Sequence, residues 1–241
     1  MGKRIISQRR GRGTSTYRSP SHRYIAAVKH RTYDEIEKSK VIKGRVINLI
    51  HCPGHSAPLA EIRYENNEKL YIFAPEQIKV NDIVESGAKA KLRIGNTLPL
   101  KNISEGTAIY NLENRPGDGG KFCRTAGSFA KLISFADNTA IIKMPSKKQK
   151  KFNINCRATI GVIAGSGRKE KPLVKAGKRY YLMRARGKLY PRTSAVAMNA
   201  VDHPFGSGRG RQHAKAKISS RHAPPGAKVG KVASKRTGKR K

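Results

Sequence analysis

Between Val41 and Ala164 the apolar residues come in short runs, and several of these alternate strictly with polar ones. Ala60, Ile62 and Tyr64 alternate with Glu61 and Arg63, and Ala88, Ala90, Leu92 and Ile94 with Lys89, Lys91 and Arg93. A period of two puts one residue set on each face of a strand, and the charged set leaves one face wet. Further strands are predicted over Val41 to Ile50, with Gly44 as a bulge, Leu70 to Phe73 after a turn at Asn66-Asn67, and Ile83-Val84. Others follow at Thr107 to Leu112, Phe129 to Phe135, Thr139 to Met144 after a turn at Asp137-Asn138, Phe152 to Ile154 and Thr159 to Ala164. Short strands punctuated by Gly, Pro and Asn indicate an all-β fold of small barrels or sandwiches. About 130 residues of this kind exceed one five-stranded barrel, so two are expected, joined near Ser86-Gly87.

Outside this body the periodicity fails. From Lys171 onward only Tyr180-Tyr181-Leu182-Met183 and Ser194 to Met198 could pack, as short helical turns. Past His203 the chain is Gly, Pro, Lys, Arg, Ser and His almost throughout, a composition expected to order only on binding. The expected division is therefore a basic arm over 1–34, β domains over 35–86 and 87–170, and a basic extension over 171–241.

Charge says what the arms meet. The 241 residues carry 52 Lys/Arg against 15 Asp/Glu, a formal net charge of +37. The distribution is uneven: residues 1–31 hold nine cations and no acid, 32–113 eleven of each, and 171–241 twenty against one. A balanced middle between one-sign ends reads as a folded body with nucleic-acid-seeking extensions. There is no Trp, no basic amphipathic helix and no apolar run near the roughly 18–20 residues of a membrane span, so a membrane partner is not expected. The start lacks the apolar core of a secretory signal; in composition it resembles an organellar transit peptide, but Gly11, Gly13 and Pro20 interrupt any amphipathic helix. Cys52, Cys123 and Cys156 form no paired spacing, which fits a reducing compartment.

Candidate chemistry is sparse. His51-Cys52-Pro53-Gly54-His55 lacks the second pair that tetrahedral zinc requires, so it reads as a surface turn and no metal is expected. The glycine-rich stretches at 161–169, 206–210 and 226–231 match neither a phosphate-loop nor a dinucleotide pattern, so neither a nucleotide cofactor nor a small-molecule substrate is expected. Glycines there instead let backbone approach RNA closely. Asp202-His203-Pro204 stands between the apolar run at Met198 and a Gly/Arg stretch, and Asp202 is the only acid after Glu170. As an acid–base pair it would need an oriented partner and a pocket; a rigid RNA contact is the preferred reading. In the arm, Arg9, Arg10, Arg12, Arg18 and Arg23 stand among Gly, Ser and Thr, with Tyr17 and Tyr24 able to stack on bases.

Four motifs occur in order: Gly95-Asn96-Thr97-Leu98-Pro99-Leu100; Pro116-Gly117-Asp118-Gly119-Gly120-Lys121-Phe122; Cys156-Arg157-Ala158-Thr159-Ile160-Gly161-Val162; and Val196 to Gly206, which holds Asp202-His203-Pro204-Phe205. Together with Gln8 to Thr14 and Ala223-Pro224-Pro225-Gly226 they resemble the family of large-subunit ribosomal protein two over nearly the whole chain. The compact central body and Ala200, where bacterial forms carry Pro, are similar to the archaeal or eukaryotic branch, and the Arg-Gly-Arg-Gly-Thr-Ser start resembles the archaeal one.

That resemblance implies an OB-like barrel at 35–86, an SH3-like barrel at 87–170, and extensions entering large-subunit rRNA near the peptidyl-transferase centre. It further implies a cytoplasmic structural constituent of the large subunit, no enzyme, supporting assembly, subunit association and tRNA placement. Its implied partners are large-subunit rRNA, neighbouring ribosomal proteins, and small-subunit rRNA at an intersubunit contact. With the charge distribution, it makes rRNA-binding candidates of the arm arginines, of Lys121, Arg124 and Arg157 in the body, and of Lys178, Arg179, Arg184 and Arg186. Asn199, Asp202, His203, Gly206, Gly208, Arg209, Arg211, Lys235 and Arg236 complete the set. In the family the histidine matched by His203 has been linked to peptidyl transfer; the position is carried over here, not the catalytic role. The alternatives are direct acid–base participation of His203 and a non-ribosomal RNA- or DNA-binding protein. Two departures stand out. Ser194-Ala195 replaces an Arg-Gly pair of the family, with Arg192 near enough to substitute. Lys147-Lys148-Gln149-Lys150-Lys151 replaces a Gly/Glu hairpin and suggests an extra phosphate contact.

Overall fold

A computed structural model of the chain describes residues 2–207 and 218–234. It divides into two compact units: Ser21–Pro172, and Met1–Pro20 together with Leu173–Lys241. The α-helices among the described residues are short: α1 (Ile6–Gly11), α2 (Glu35–Ser39) and α3 (Ala176–Ala185).

The unit Ser21–Pro172 is all-β in its framework. Its strands are β1 (Ile42–Ile50), β2 (Leu59–Tyr64), β3 (Lys69–Phe73), β4 (Ile83–Ser86), β5 (Thr97–Pro99), β6 (Ala108–Tyr110), β7 (Ala130–Ala136), β8 (Thr139–Lys143), β9 (Gln149–Asn153) and β10 (Arg157–Ile160). They are hydrogen-bonded in the order β3-β2-β1-β4-β5-β10-β6-β7-β8-β9. Every pairing is antiparallel except β4 with β5, which is parallel and rests on Ser86 opposite Thr97. The apolar core follows that thin seam. One cluster belongs to β1–β4, with Val46, Ala60 and Ile62 fully buried. Another belongs to the later strands, with Leu98, Ile109, Leu132 and Ile142. A third brings Val28, Cys52, Leu59 and Phe73 together with Tyr110 and Ile163. Burying each of the Val, Leu, Ile and Phe side chains contributes on the order of 1.5–3 kcal/mol.

Two strand expectations change. Residues 88–94 alternate like a strand but form turns. The Asn96 amide donates to Lys91 O at 2.9 Å, Asn96 Oδ1 accepts from Glu85 N at 2.8 Å, and Glu85 Oε2 accepts from Lys91 N at 2.8 Å. With side chains holding the loop backbone, Leu92 and Ile94 stay exposed and the ladder passes to β5. The bulge in β1 lies at Ile47, between Val46 and Asn48, while Gly44 pairs regularly with Tyr64. Gly44 is needed for closeness: a Cβ there would lie 2.5 Å from Ile62 Cγ2 and 2.9 Å from the Tyr64 ring. The predicted turns are present, with Asn67 and Asp137 both at positive φ, a conformation Asn and Asp tolerate.

The arm expected over 1–34 is split, because from Ser21 the chain packs as part of the β body. Val28, His30 and Arg31 are buried. Arg31 donates to both carboxylate oxygens of Asp34, at 2.7 and 2.6 Å, and its Nε lies 2.8 Å from Glu68 Oε2. Asp34 caps α2 by accepting from Glu37 N, and its hydrogen bond from Arg31 holds its carboxyl down at about 2. Glu37, with no exposed side-chain surface, lies 3.3 Å from Arg157 Nη1.

The second unit has almost no apolar core. Ile5 is its one buried hydrophobic residue among those described. Its order comes from backbone turns, α1, α3, and a parallel pair of two-residue strands, β11 (Ile218–Ser219) and β12 (Lys231–Val232). Past His203, the described residues 204–207 and 218–234 carry turns and this strand pair with little buried apolar surface, and the rest of the stretch expected to order on binding lies outside the described residues. Gly187 ends α3: its φ is +60, its N–H bonds Arg184 O, and Lys188 N bonds Met183 O, the paired bonds of a left-handed helix stop. A Cβ at Gly187 would lie 2.7 Å from Tyr17 O, so this stop also lets residues 17–19 pass close by.

Candidate nucleic-acid interface

The Asp-His-Pro triplet lies in a tight turn from Asn199 to Gly206. Asn199 O accepts from Asp202 N at 3.0 Å and His203 N at 3.2 Å, and Gly206 N donates to His203 O at 2.8 Å. Gly206 is buried, and a Cβ there would collide with the Asn199 carbonyl, so only glycine closes the turn. The N-terminal segment lies against it: Lys3 N donates to Val201 O at 2.7 Å, and Lys3 Nζ lies 3.5 Å from Asp202 Oδ1.

The two polar side chains of the triplet therefore look to different partners. Asp202 faces Lys3. His203 Nδ1 accepts the Phe205 N–H at 3.0 Å, and its ring leans on Phe205 at 5.2 Å between centroids. An N–H can only donate, so Nδ1 is the bare nitrogen and the neutral ring carries its proton on Nε2. Burial lowers the pKa of His203, keeping it neutral. It is a hydrogen-bond donor at Nε2 rather than a base oriented by a carboxylate.

His203 lines two clefts. One, of about 440 Å³, is shared with Ser7 of α1, Arg192, Ser194 and Lys228; the other, about 300 Å³, with Lys3, Arg4 and Gln8. Their polar lining is mostly donors, which suits an acceptor-rich ligand such as a phosphodiester backbone. Sequence reading missed Lys3 and Lys228 as neighbours of His203. Each is one lysine among many, and only the folded unit brings positions 3, 203 and 228 to one place.

The remaining candidates divide by exposure. Arg9, Arg10, Arg12 and Arg18 are exposed, with Arg9 Nε donating to Arg4 O at 2.8 Å; Arg9 and Arg10 stand in the last turn of α1, where cations suit the helix end. Arg23 is exposed in the β body. Lys178, Arg179, Arg184, Arg186 and Asn199 are exposed as well, and Arg179 lies over the Tyr190 ring at 5.4 Å. In the body, Lys121 and a half-buried Arg124 line a cleft of about 410 Å³ with Tyr24, Lys29 and His55. Arg124 donates to Val28 O and Gly120 O and lies over the Phe73 ring, which fixes its plane. Gly208, Arg209, Arg211, Lys235 and Arg236 lie outside the described residues.

Arg157 is the correction. It is 1% exposed and bonded on every side. Its guanidinium donates to Glu113 Oε1 at 2.8 and 3.2 Å and to Arg31 O at 2.7 Å, and its backbone N donates to Glu113 Oε2. Burial pushes the Glu113 carboxyl up, but the Arg157 hydrogen bonds and charge outweigh it and hold it low. A guanidinium so enclosed is a structural cation and not an RNA contact. In the lysine hairpin, Lys150 is also engaged, lying 4.2 Å from the Phe122 ring centroid and donating to Asn114 Oδ1; Lys147, Lys148 and Lys151 stay exposed. Among the described residues no group of three or more metal-ligating side chains gathers. In the segment His51 to His55, His55 Nδ1 sits 3.2 Å from the buried Cys52 Sγ, with its ring edge-on to Phe73.

Two family models match the chain: "Ribosomal Proteins L2, RNA binding N-terminal domain" over residues 2–86, and "Ribosomal Proteins L2, C-terminal domain" over 93–224. The large ribosomal subunit protein uL2 of Methanothermobacter thermautotrophicus is 54% identical over 241 residues, all of both chains. That of Methanosphaera stadtmanae is 52% identical over 241 residues, again all of both, and that of Methanopyrus kandleri 50% over 239 residues, 99% of this chain and 98% of the relative. With two family models along its length and half its residues shared end to end with these archaeal proteins, the chain belongs to the ribosomal protein L2 family.

Proposed function

We propose that the chain is a structural, RNA-binding constituent of the large ribosomal subunit that binds large-subunit rRNA near the peptidyl-transferase centre. In this role it supports assembly, subunit association and tRNA placement, with neighbouring ribosomal proteins and small-subunit rRNA as further contacts. One observation carries the reading: the unit made of 1–20 and 173–241 has 25 Lys/Arg, one acid and a single buried apolar side chain among its described residues. Such a unit self-repels until a polyanion neutralises it. The arm arginines, the α3 cations and the donor-lined clefts at His203 meet phosphate, while Lys121 and Arg124 meet RNA from the body. The body acts as two β modules, an OB-like barrel at 35–86 and an SH3-like barrel at 87–170; two of its three apolar clusters lie one on either side of the Ser86–Thr97 seam, which supports that division, while the third packs the modules together.

The test is binding of the full chain to large-subunit rRNA fragments across a salt series. Affinity should fall steeply with salt, and each phosphate contact replaced should flatten the log–log slope by about 0.7–0.9. Salt-independent binding sinks the reading. His203 serves as a positioned donor and not as a base, since its Nε2 carries the proton and Asp202 faces Lys3. Accordingly His203→Ala should impair particle assembly and leave the particles that do assemble normally active; slowed peptide-bond formation in fully assembled particles would restore the catalytic alternative.

A further inference from the structure

Helix α3 (Ala176–Ala185) turns its aromatic residues outward, which is the reverse of how an ordinary surface helix is built. None of its residues is buried. Tyr181 is 68% exposed and Tyr180 43%, with the two rings edge-on at 5.5 Å between centroids. At roughly 100° per residue, Tyr180, Tyr181 and Arg184 share one face. Leu182 and Met183, both half-buried, point to the other side with Arg179. A ten-residue helix is too short to persist by propensity alone, so it gains from whatever covers it. Its surroundings choose the occupant. Lys178, Arg179, Arg184 and Arg186 stand on or beside it without a carboxylate, in a unit holding one acid.

We propose that the Tyr180–Tyr181–Arg184 face of α3 is a stacking platform for unpaired RNA bases, and that it recognises single-stranded or looped RNA where the surrounding cations recognise phosphate. This rests on the RNA-binding role proposed above and adds what that role leaves open, namely a contact to bases. Aromatic rings stack on any base face, and a guanidinium beside them adds a second planar surface. Paired bases inside an A-form helix offer no such face, so the platform discriminates by unpairing and not by charge.

The test uses the full chain and two labelled probes of equal phosphate number, a single-stranded oligouridine and a blunt-ended, fully paired RNA duplex, by fluorescence anisotropy over a salt series. Replacing both tyrosines (Tyr180→Leu with Tyr181→Leu) should weaken single-strand binding about tenfold or more, leaving duplex binding and the salt slope unchanged. The Tyr180→Phe, Tyr181→Phe pair should bind as the parent does. By contrast Lys178→Gln and Arg186→Gln together, two exposed cations outside the platform, should weaken both probes and flatten the slope. Equal loss on both probes, a changed salt slope in the leucine variant, or no loss at all overturns the platform while leaving RNA binding standing. Tighter binding of a polyglutamate chain than of oligouridine, lost in the leucine variant, overturns RNA as the occupant. If the parent chain binds neither probe, the RNA-binding role itself fails.

Discussion

The two units carry almost the same number of cations and use them in opposite ways. Ser21–Pro172 has 27 Lys/Arg and answers them with 14 carboxylates; the unit from 1–20 and 173–241 has 25 and one. In the first, arginine is a structural material. Arg31 and Arg157 are enclosed by Asp34, Glu37, Glu68 and Glu113, where they pin the segment before β1 to the strand body. Among the described residues of the second, Lys and Arg are exposed and Ile5 is the one buried apolar side chain. A buried cation needs its carboxylate partners within the chain, whereas an exposed one leaves its charge available to a partner outside it. Position in sequence does not tell these apart; the carboxylates that the fold gathers around a cation do.

Breaking the enclosed cluster should separate the units most sharply. Arg157→Met leaves Glu113 buried without its cation and Glu37 with only the more distant Arg31, and should destabilise the body by about 3–5 kcal/mol in chemical denaturation. A loss under about 1 kcal/mol would mean that the cluster is solvated after all. Acid should act on the same place. Burial, with Arg157 nearby, lowers His30 from its ordinary value to about 4. The unfolded chain therefore binds a proton that the folded one refuses between about 6.5 and 4. Stability is full above that window and falls through it as pH drops, by roughly 3 kcal/mol. His30→Gln should flatten this part of the pH–stability curve, and an unchanged curve would place the titration elsewhere.

In the other unit, Gly206→Ala should disturb only the turn, at roughly 1–3 kcal/mol, by forcing Asn199 O aside. Hydrogen exchange at Asp202, His203 and Gly206 should quicken while the body's unfolding midpoint stays in place; a shifted midpoint would tie the turn to the body's stability. Smallest of all in stability is Arg9→Gln with Arg10→Gln, expected within about 0.5 kcal/mol of the parent. The same pair should nonetheless flatten the salt slope of rRNA binding by about 1.4–1.8.

Much of this was legible in the chain. Nine of the ten strands of the body overlap the apolar runs that predicted them, β9 and β10 by two residues each, and β5 was not predicted. Residues 88–94 were the predicted strand that did not form. Their alternation is as clean as any, yet Glu85 and Asn96 hold the backbone in turns with side-chain bonds that no periodicity records. Arg157 misled for a related reason. As an arginine inside a family motif it looked like an RNA contact, and only the fold brings Glu37 and Glu113 around it from 120 and 44 positions away in the chain.

The sequence by itself determined the class of partner, the all-β body and the place of the basic ends, since charge balance and apolar period are local properties summed along the chain. It also marked Val196 to Gly206, with Asp202-His203-Pro204, as a candidate RNA contact. Tertiary structure alone decided which cations are enclosed and which are offered, which nitrogen of His203 holds the proton, and that Asp202 turns to Lys3. Each of those depends on a partner distant in sequence or on a hydrogen bond of fixed direction, and neither is written in composition or spacing.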